Sequence, residues 1–437
     1  MEGGGEWAAE RWWYRPAHVC QRWRELILRS ASYLGLCLVC TSGTPVADML
    51  VHSPPLPLVI DYQNHDISGE DEEAIILALE QRDRVHRIRF VLPVLNLRRL
   101  IVAIDGEYPI LEYLFLSNLL EEKNNPVLFL PETLETPHLR HLAIGSFTPI
   151  PIRSSLLGTT AFLVLLSLTM CHPSTYFQPA VLLQWLSSIP QLEVLLISFY
   201  FAVPNRDVER QLMRTPIVTH VTLPNLRVFV FQAVRAYSEA VLSRITAPRL
   251  ENFQIGYFKQ LTSSVPQLLQ FMGRTENLRF DSAEFIFYSE RVYVEVNPPE
   301  TETSVFSVNV HCWHLDWQVS SVAQISNALS QIFSTVEHLT FTHKVHSQST
   351  EEHNEVDRAE WCKLLKSFSN VKTLRVDDGL VGELSHCLRL DDGEYPLELL
   401  PELQELTYPG SGNADDVFTS FTDARRNAGR PVTLIKS

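Results

Sequence analysis

The chain has 437 residues, 45% of them hydrophobic and 20% charged, the profile of a folded globular protein rather than a disordered or collagenous one. Its 51 acidic residues outnumber 36 basic ones to give a formal net charge of −15, which opposes nucleic acid and anionic membrane over most of the surface. Seven cysteines and no N-x-S/T acceptor disfavour a disulfide-stapled secreted scaffold, Met1–Trp13 holds no apolar signal run, and Leu156–Cys171 falls short of the roughly 20 apolar residues of a membrane span.

In chain order, Trp12–Arg29 predicts a short amphipathic helix with Val19, Cys20, Trp23, Leu26 and Ile27 on one stripe and Arg22, Arg24 and Glu25 facing away. Cys37 and Cys40 have C-x-x-C spacing without a second pair, which suits buried thiols on an apolar strand better than zinc. Ser68, followed by Glu70, Asp71, Glu72 and Glu73, predicts a capped helix start whose carboxylates complement the helix dipole.

From there a segment L-x-x-L-x-L recurs. Its copies are Val85/Ile88/Phe90, Leu111/Leu114/Leu116, Leu139/Leu142/Ile144, Leu163/Leu166/Leu168, Leu192/Leu195/Ile197, Leu226/Phe229/Phe231, Leu250/Phe253/Ile255, Thr275/Leu278/Phe280, Val336/Leu339/Phe341, Val371/Leu374/Val376 and Leu403/Leu406/Tyr408. The copies start 24 to 35 residues apart, except for a step of 61 after Thr275. Alternation at the end of each copy predicts a short strand, and helices are expected upstream over Val181–Ile189, Ser238–Ile245, Val322–Phe333 and Arg358–Phe368. One such unit cannot bury both its strand and its helix, so neighbours must stack. The expected fold is α/β: a leucine-rich-repeat-like solenoid with parallel concave strands and convex helices; a doubly wound sheet is the competitor.

The long step is filled by Phe285–Tyr288, Arg291–Val296 and Val305–His311, which read as an antiparallel insertion around 284–311 at one edge of the array. A helix over Asp415–Arg426 and a strand over Val432–Ile435 suit a C-terminal cap within 413–437.

Side chains alternate along a strand, so the non-consensus positions should form an outward face able to bind a protein partner. They are Arg87, Arg89, Tyr113, Phe115, His141, Leu196, Val228, Val230, Asn252, Gln254, Arg279, Asp281, His338, Arg375 and Asp377, with Leu165 and Val194 extending an apolar strip in the central copies.

The stretch His18-Val19-Cys20-Gln21-Arg22-Trp23-Arg24 resembles the second half of an F-box, whose most recognisable feature is V-C-x-x-W-R. Leu36–Tyr62, with Cys40-Thr41-Ser42-Gly43-Thr44-Pro45-Val46 and Pro54-Pro55-Leu56-Pro57-Leu58-Val59-Ile60, is similar to the linker and first strand of mushroom-type fungal F-box proteins, in which repeats follow. The F-box is incomplete, because Met1–Glu10 lacks the Leu-Pro-x-Glu-type first helix. The resemblance implies an F-box-like helix and linker over 1–60 and repeats over 61–437. It also implies a role as substrate-recognition subunit of a Skp–cullin–F-box ubiquitin ligase, in the cytoplasm or nucleus. Val19, Cys20, Trp23 and Leu26 would bind a Skp-type adaptor and through it a cullin, while the repeats take an unknown protein substrate. The alternative is a repeat scaffold without adaptor binding.

No nucleophile elbow, zincin motif, phosphate loop or dinucleotide fingerprint occurs, so no enzyme activity and no cofactor are expected. His311, Cys312 and His314 lie on an expected strand where neighbours face opposite ways, which argues against a shared metal, and His343, His346 and His353 form a second loose group. Asp391, Asp392 and Glu394 around Gly393 read as a turn. The Arg82, Arg84, Arg87 and Arg89 series reads as a solvated face or a site for an acidic segment.

Overall fold

The computed structural model describes residues 12–64, 67–118, 130–147, 156, 161–170, 178–199, 217–258, 265–275, 280–298, 305–344, 358–389, 398–409 and 417–436. The protein is α/β and divides into two compact units: Met1–Phe177 with Gln184–Phe201, and Gln178–Leu183 with Ala202–Ser437.

The first unit carries β1 (Leu38–Cys40), β2 (Leu58–Gln63), β3 (Val85–Leu92), β4 (Tyr113–Asn118), β5 (His141–Phe147), β6 (Leu165–Met170) and β7 (Val194–Phe199), all parallel and paired in sequence order. Its helices are α1 (Tyr14–Ala17), α2 (Gln21–Arg29), α3 (Val46–His52), α4 (Gly69–Leu79) and α5 (Val94–Ala103), and the unit boundary falls within α6 (Pro179–Ser187). The sheet therefore begins at Leu38, inside the segment expected to be linker. The start of α4 is as the sequence predicts: the Ser68 hydroxyl accepts from the Asp71 N–H at 3.0 Å, with Glu70, Asp71 and Glu72 in the first turn.

The second unit has β8 (Val221–Thr222), β9 (Val228–Ala233), β10 (Ile245–Thr246), β11 (Asn252–Phe258), β12 (Ser282–Tyr288), β13 (Val292–Asn297), β14 (Val305–His311), β15 (His338–Lys344), β16 (Thr373–Val376), β17 (Glu405–Tyr408) and β18 (Thr433–Lys436). Its helices are α7 (Arg235–Leu242), α8 (Pro266–Gly273), α9 (Leu315–Ala328), α10 (Ser330–Phe333), α11 (Arg358–Leu365), α12 (Val381–Leu388) and α13 (Thr419–Asn427). β8 and β10 form a separate parallel pair.

The repeat positions are the core. The described members of the L-x-x-L-x-L copies are buried, and the position between the last two of each copy is not. In the second unit, helix rings close over these strands: Phe271 of α8 lies 5.0 Å from Phe253 and Trp361 of α11 lies 5.6 Å from Phe341. Burying one Leu or Phe contributes about 1.5–3 kcal/mol, whereas an exposed ion pair such as Arg227–Glu251 contributes about 0–1. Stacking of apolar copies therefore holds the sheets together.

Two expectations are corrected in the second unit. The insertion is not at an edge: the order runs β9, β11, β14, β13, β12, β15, β16, β17, β18, and only β13 is antiparallel to its neighbours. β14 pairs parallel with β11 and β12 parallel with β15, so both belong to the main array. After β11 the chain passes over two strand positions, returns through β13 and fills the gap with β14. The copy assigned to Thr275, Leu278 and Phe280 is also displaced. Ala283 and Phe285 are the Cα partners of Leu339 and Phe341, so the true copy is Phe280, Ala283 and Phe285.

The C-terminal helix and strand form as expected, with β18 parallel to β17. Arg425 of α13 is fully buried; its Nη2 donates to the carbonyls of Pro401 (3.0 Å) and Leu403 (3.2 Å), and burial pushes its pKa down. Hydrogen bonds from a charged group contribute about 1.5–3 kcal/mol. Arg425→Met should therefore lower stability by about 2 kcal/mol in urea unfolding, and an unchanged midpoint would show that the cap does not depend on this side chain.

Candidate interaction surfaces

The N-terminal segment is not one helix. Cys20 is extended (φ −161°, ψ 167°) between α1 and α2, and the last bonds of α1, from the His18 and Val19 N–H groups to Arg15 and Pro16, are of the tighter i−3 kind. Val19 and Cys20 therefore lie outside helix and share no helical stripe with Trp23 and Leu26.

The physical reason for the break is that α1 is fastened elsewhere. Trp13 is buried and its indole N–H donates to the Cys37 carbonyl at 3.2 Å, while the Val39 N–H on the outer side of edge strand β1 donates to the Tyr14 hydroxyl at 3.4 Å. Cys37 joins Val39 and Val59 in a buried cluster, and Cys40 pairs with Ile60 on the core row, so the two thiols face opposite sides of the strand. α2 buries none of its residues: Trp23 is 53% exposed, Leu26 58% and the preceding Val19 67%. It is tied to α1 by Arg24, whose Nε donates to the Ala17 carbonyl at 3.0 Å.

The second surface is the outward side of the strands, taken for each unit separately. Register in the first unit aligns Arg87, Tyr113, His141, Leu165 and Val194 in one row and Arg89, Phe115, Ala143, Ser167 and Leu196 in the next. All are half-buried. The Arg89 guanidinium lies over the Phe115 ring at 5.5 Å, and Tyr113 packs on His141 at 5.9 Å. Burial, then the charges of Arg140 and Arg87, hold the His141 pKa below its ordinary value. Asp61, the Cα partner of Arg89, is buried and accepts from the Gln63 amide at 3.2 Å.

The second unit aligns Val228 with Asn252 and Val230 with Gln254, all half-buried, as expected of outward positions. His338 and Arg375 are exposed on β15 and β16. Two expected residues, Asp281 and Asp377, do not belong to this face. Arg279 lies outside the described residues. Asp281 precedes β12 and its carbonyl accepts from the N–H groups of Glu337 and His338, because the copy is displaced. Asp377 follows β16 and its carboxylate caps the next turn, accepting from the Asp378 N–H (2.9 Å) and the His343 N–H (3.2 Å).

In their place the inlaid strands put residues that the sequence reading missed. Glu284 and Glu295 are directly opposite Cα partners across β12 and β13, and Ser307 of β14 pairs with Glu295. Glu284 accepts from the Thr342 hydroxyl and Glu295 from the Asn297 amide, both at 3.1 Å, and both donors are neutral. Asn309, 5% exposed, leaves its Oδ1 without a hydrogen-bond partner, beside Tyr293 whose hydroxyl bonds Ser307 and Glu295. The spacing Phe280-x-x-Ala283-x-Phe285 was the available signal.

Among the described residues no group of three His, Cys, Asp or Glu side chains is placed to hold a metal, and no helix is long and apolar enough to cross a membrane. His311 stacks on Phe258 and His314 meets Trp317 edge to face, while burial pushes the Cys312 thiol up to about 12. His346, His353, Asp391, Asp392 and Glu394 lie outside the described residues. No protein-family model matches the chain, and no curated protein matches it.

Two outcomes follow from this geometry. Like charges directly opposed on a sheet destabilise by a few tenths to about 1 kcal/mol, so Glu295→Gln should raise the free energy of urea unfolding by up to ~1 kcal/mol at low salt and by less at high salt. A loss of stability would mean that the carboxylate's hydrogen bonds outweigh the repulsion. For His141, a lowered folded pKa means that the unfolded chain takes up the proton more readily. Its contribution is intact above the ordinary value of 6.5 and is lost as pH falls through the lower folded value. His141→Asn should flatten that part of the stability–pH curve, and an identical acid slope in the variant would refute the assignment.

Proposed function

We propose that this protein is a non-enzymatic substrate-recognition subunit of a Skp–cullin–F-box ubiquitin ligase, with an incomplete F-box followed by leucine-rich-repeat-like units. In this reading α2 lays its apolar side in a groove of a Skp-type adaptor, and the outward strand faces select the protein to be ubiquitinated. The observation that carries it is the contrast within one short segment: Trp13 is buried and, with Tyr14 of α1, hydrogen-bonds the backbone at β1, while the adjoining α2 holds Trp23 and Leu26 in solvent. Among the described residues α2 is tied only to α1, and none of its own residues is buried, which leaves its apolar side available to another chain. The half-buried mixture of Arg, aromatic and acidic residues on the strand faces suits protein recognition, where Arg and Tyr recur as anchors.

A second reading has its own observation. Because Trp13 and Tyr14 satisfy the edge of β1, the N-terminal segment already serves as an end cap, as a repeat scaffold without an adaptor would need.

Co-purification of the full chain with a Skp-type adaptor separates the two. Under the receptor reading the adaptor is retained, and Trp23→Ala abolishes retention while moving the unfolding midpoint by no more than about 0.5 kcal/mol. Trp13→Ala, which removes a buried ring, should cost about 3 kcal/mol. Failure of the wild-type chain to retain the adaptor would rule out the receptor reading and favour the scaffold.

A further inference from the structure

Two cysteines that the proposed function does not use are brought together by the helices of the second unit. Cys362 of α11 and Cys387 of α12 are 25 residues apart in sequence, and their Sγ atoms are 3.5 Å apart. Cys387 is 1% exposed, whereas Cys362 is half-buried, so one sulfur is shielded and the other is within reach of a small solute. The same two segments are fastened by a second tie: Arg358, at the start of α11, donates from Nη2 to the Arg389 carbonyl just beyond α12, at 2.7 Å. The sulfurs are thus held as neighbours by packing and by a hydrogen bond.

The other described thiols lack this arrangement. Cys37 and Cys40 face opposite sides of β1. Cys312 is buried with its pKa pushed up to about 12, which keeps it as unreactive thiol. Cys20 is exposed at the start of α2.

We propose that Cys362 and Cys387 form an oxidation site, in which a small peroxide converts the pair to a disulfide joining α11 to α12. The Cys362 thiolate attacks one oxygen of hydrogen peroxide; an S–O bond forms, the O–O bond breaks and the departing hydroxide takes a proton to become water. Cys362 is then a sulfenic acid. The Cys387 sulfur attacks the Cys362 sulfur; the S–S bond forms, the S–O bond breaks, and the oxygen leaves as a second water, taking up the Cys387 proton. Two thiols and one peroxide give one disulfide and two waters, with two electrons passed to the peroxide. The sulfurs must close by about 1.5 Å to reach bonding distance. A dithiol reductant reverses the step by exchange.

The bridge would close a covalent ring around β16 and the turn at Asp378–Leu380, making one helix–strand–helix module a single cross-linked body. Its effect falls on local opening of that module, because cross-linking removes open states from the unfolded ensemble. The inference is independent of adaptor binding and stands or falls separately.

The test uses the full chain, reduced and then treated with stoichiometric hydrogen peroxide, blocked with an alkylating agent and mapped by peptide mass spectrometry. The expected product is a cross-linked peptide pair containing Cys362 and Cys387, with the unfolding temperature raised by about 5 °C and restored by dithiothreitol. Cys362→Ser and Cys387→Ser should each lose both the cross-link and the thermal response, while Cys312→Ser keeps them. Should a serine variant fold poorly, the peptide map of the wild-type chain decides alone. Oxidation that stops at sulfenic or sulfinic acid on Cys362, or a cross-link that joins other cysteines, would overturn the proposal.

Discussion

A parallel strand that buries only its alternate residues cannot be stable by itself, and in-register stacking of such strands is the constraint on which both units depend. In the first unit Ile88, Leu114, Leu142, Leu166 and Leu195 are successive Cα partners, with Phe90, Leu116, Ile144, Leu168 and Ile197 behind them. In the second, Phe229, Phe253 and Phe306 do the same, their rings stacking at 5.6 and 5.7 Å. A slip of one residue at any pairing would turn a copy's core side to solvent, so the apolar rows set the register of everything else. The outward rows are their by-product: once Ile88 pairs with Leu114, Arg87 must lie beside Tyr113 and Arg89 beside Phe115.

A stacked sheet has ends as well as faces, and the ends explain features that a repeat alone does not. β1 points the Val39 N–H away from β2, where the Tyr14 hydroxyl of α1 accepts it, and the Trp13 indole N–H just before α1 donates to the Cys37 carbonyl just ahead of the strand. In the second unit, Arg425 reaches back from α13 to two carbonyls ahead of β17 and so seats the last helix where the repeat pattern has stopped. A charge is tolerated there because its Nη2 donates to two carbonyls. The demands of the end cap also divide the N-terminal segment. α1 is committed to β1, and the chain must break at Cys20 before α2 can turn away from the sheet.

Most of this was readable where periodicity was strong. The copies from Val85 to Ile255 and from Val336 to Tyr408 stand on buried strands because leucine and phenylalanine at fixed spacing have no other place to go. The reading failed where two solutions shared one pattern. Around Thr275, Leu278 and Phe280 offer an apolar spacing five residues ahead of the true one, and only pairing with Leu339 and Phe341 selects Ala283 and Phe285. The antiparallel character of β13 was visible, but whether a hairpin adds to an edge or opens the array depends on long-range pairing that no local pattern encodes. The apolar strand expected at Cys37 and Cys40 is β1, whereas the helix break at Cys20 was missed because the apolar spacing continues across it. For the surfaces, strand parity identified the outward side at most copies, while the residues of the inlaid strands could not be placed until their register was known.

That inlay separates what the fold requires from what it merely permits. The core rows admit only large apolar residues, but stacking places no demand on the sign of an outward charge. A neutral pair opposite one another across β12 and β13 would satisfy the sheet better than Glu284 and Glu295, which repel. Glu284 accepts from the Thr342 hydroxyl and Glu295 from the Asn297 amide and the Tyr293 hydroxyl, neutral donors that orient the carboxylates without cancelling their charge, and the buried Asn309 Oδ1 adds an acceptor without a donor. The first unit carries the opposite bias, with Arg87 and Arg89 set among aromatic rings. The Arg89–Phe115 contact is attractive whereas Glu284 opposite Glu295 is repulsive, so stacking fixes where the outward side chains lie and not which sign of charge they carry.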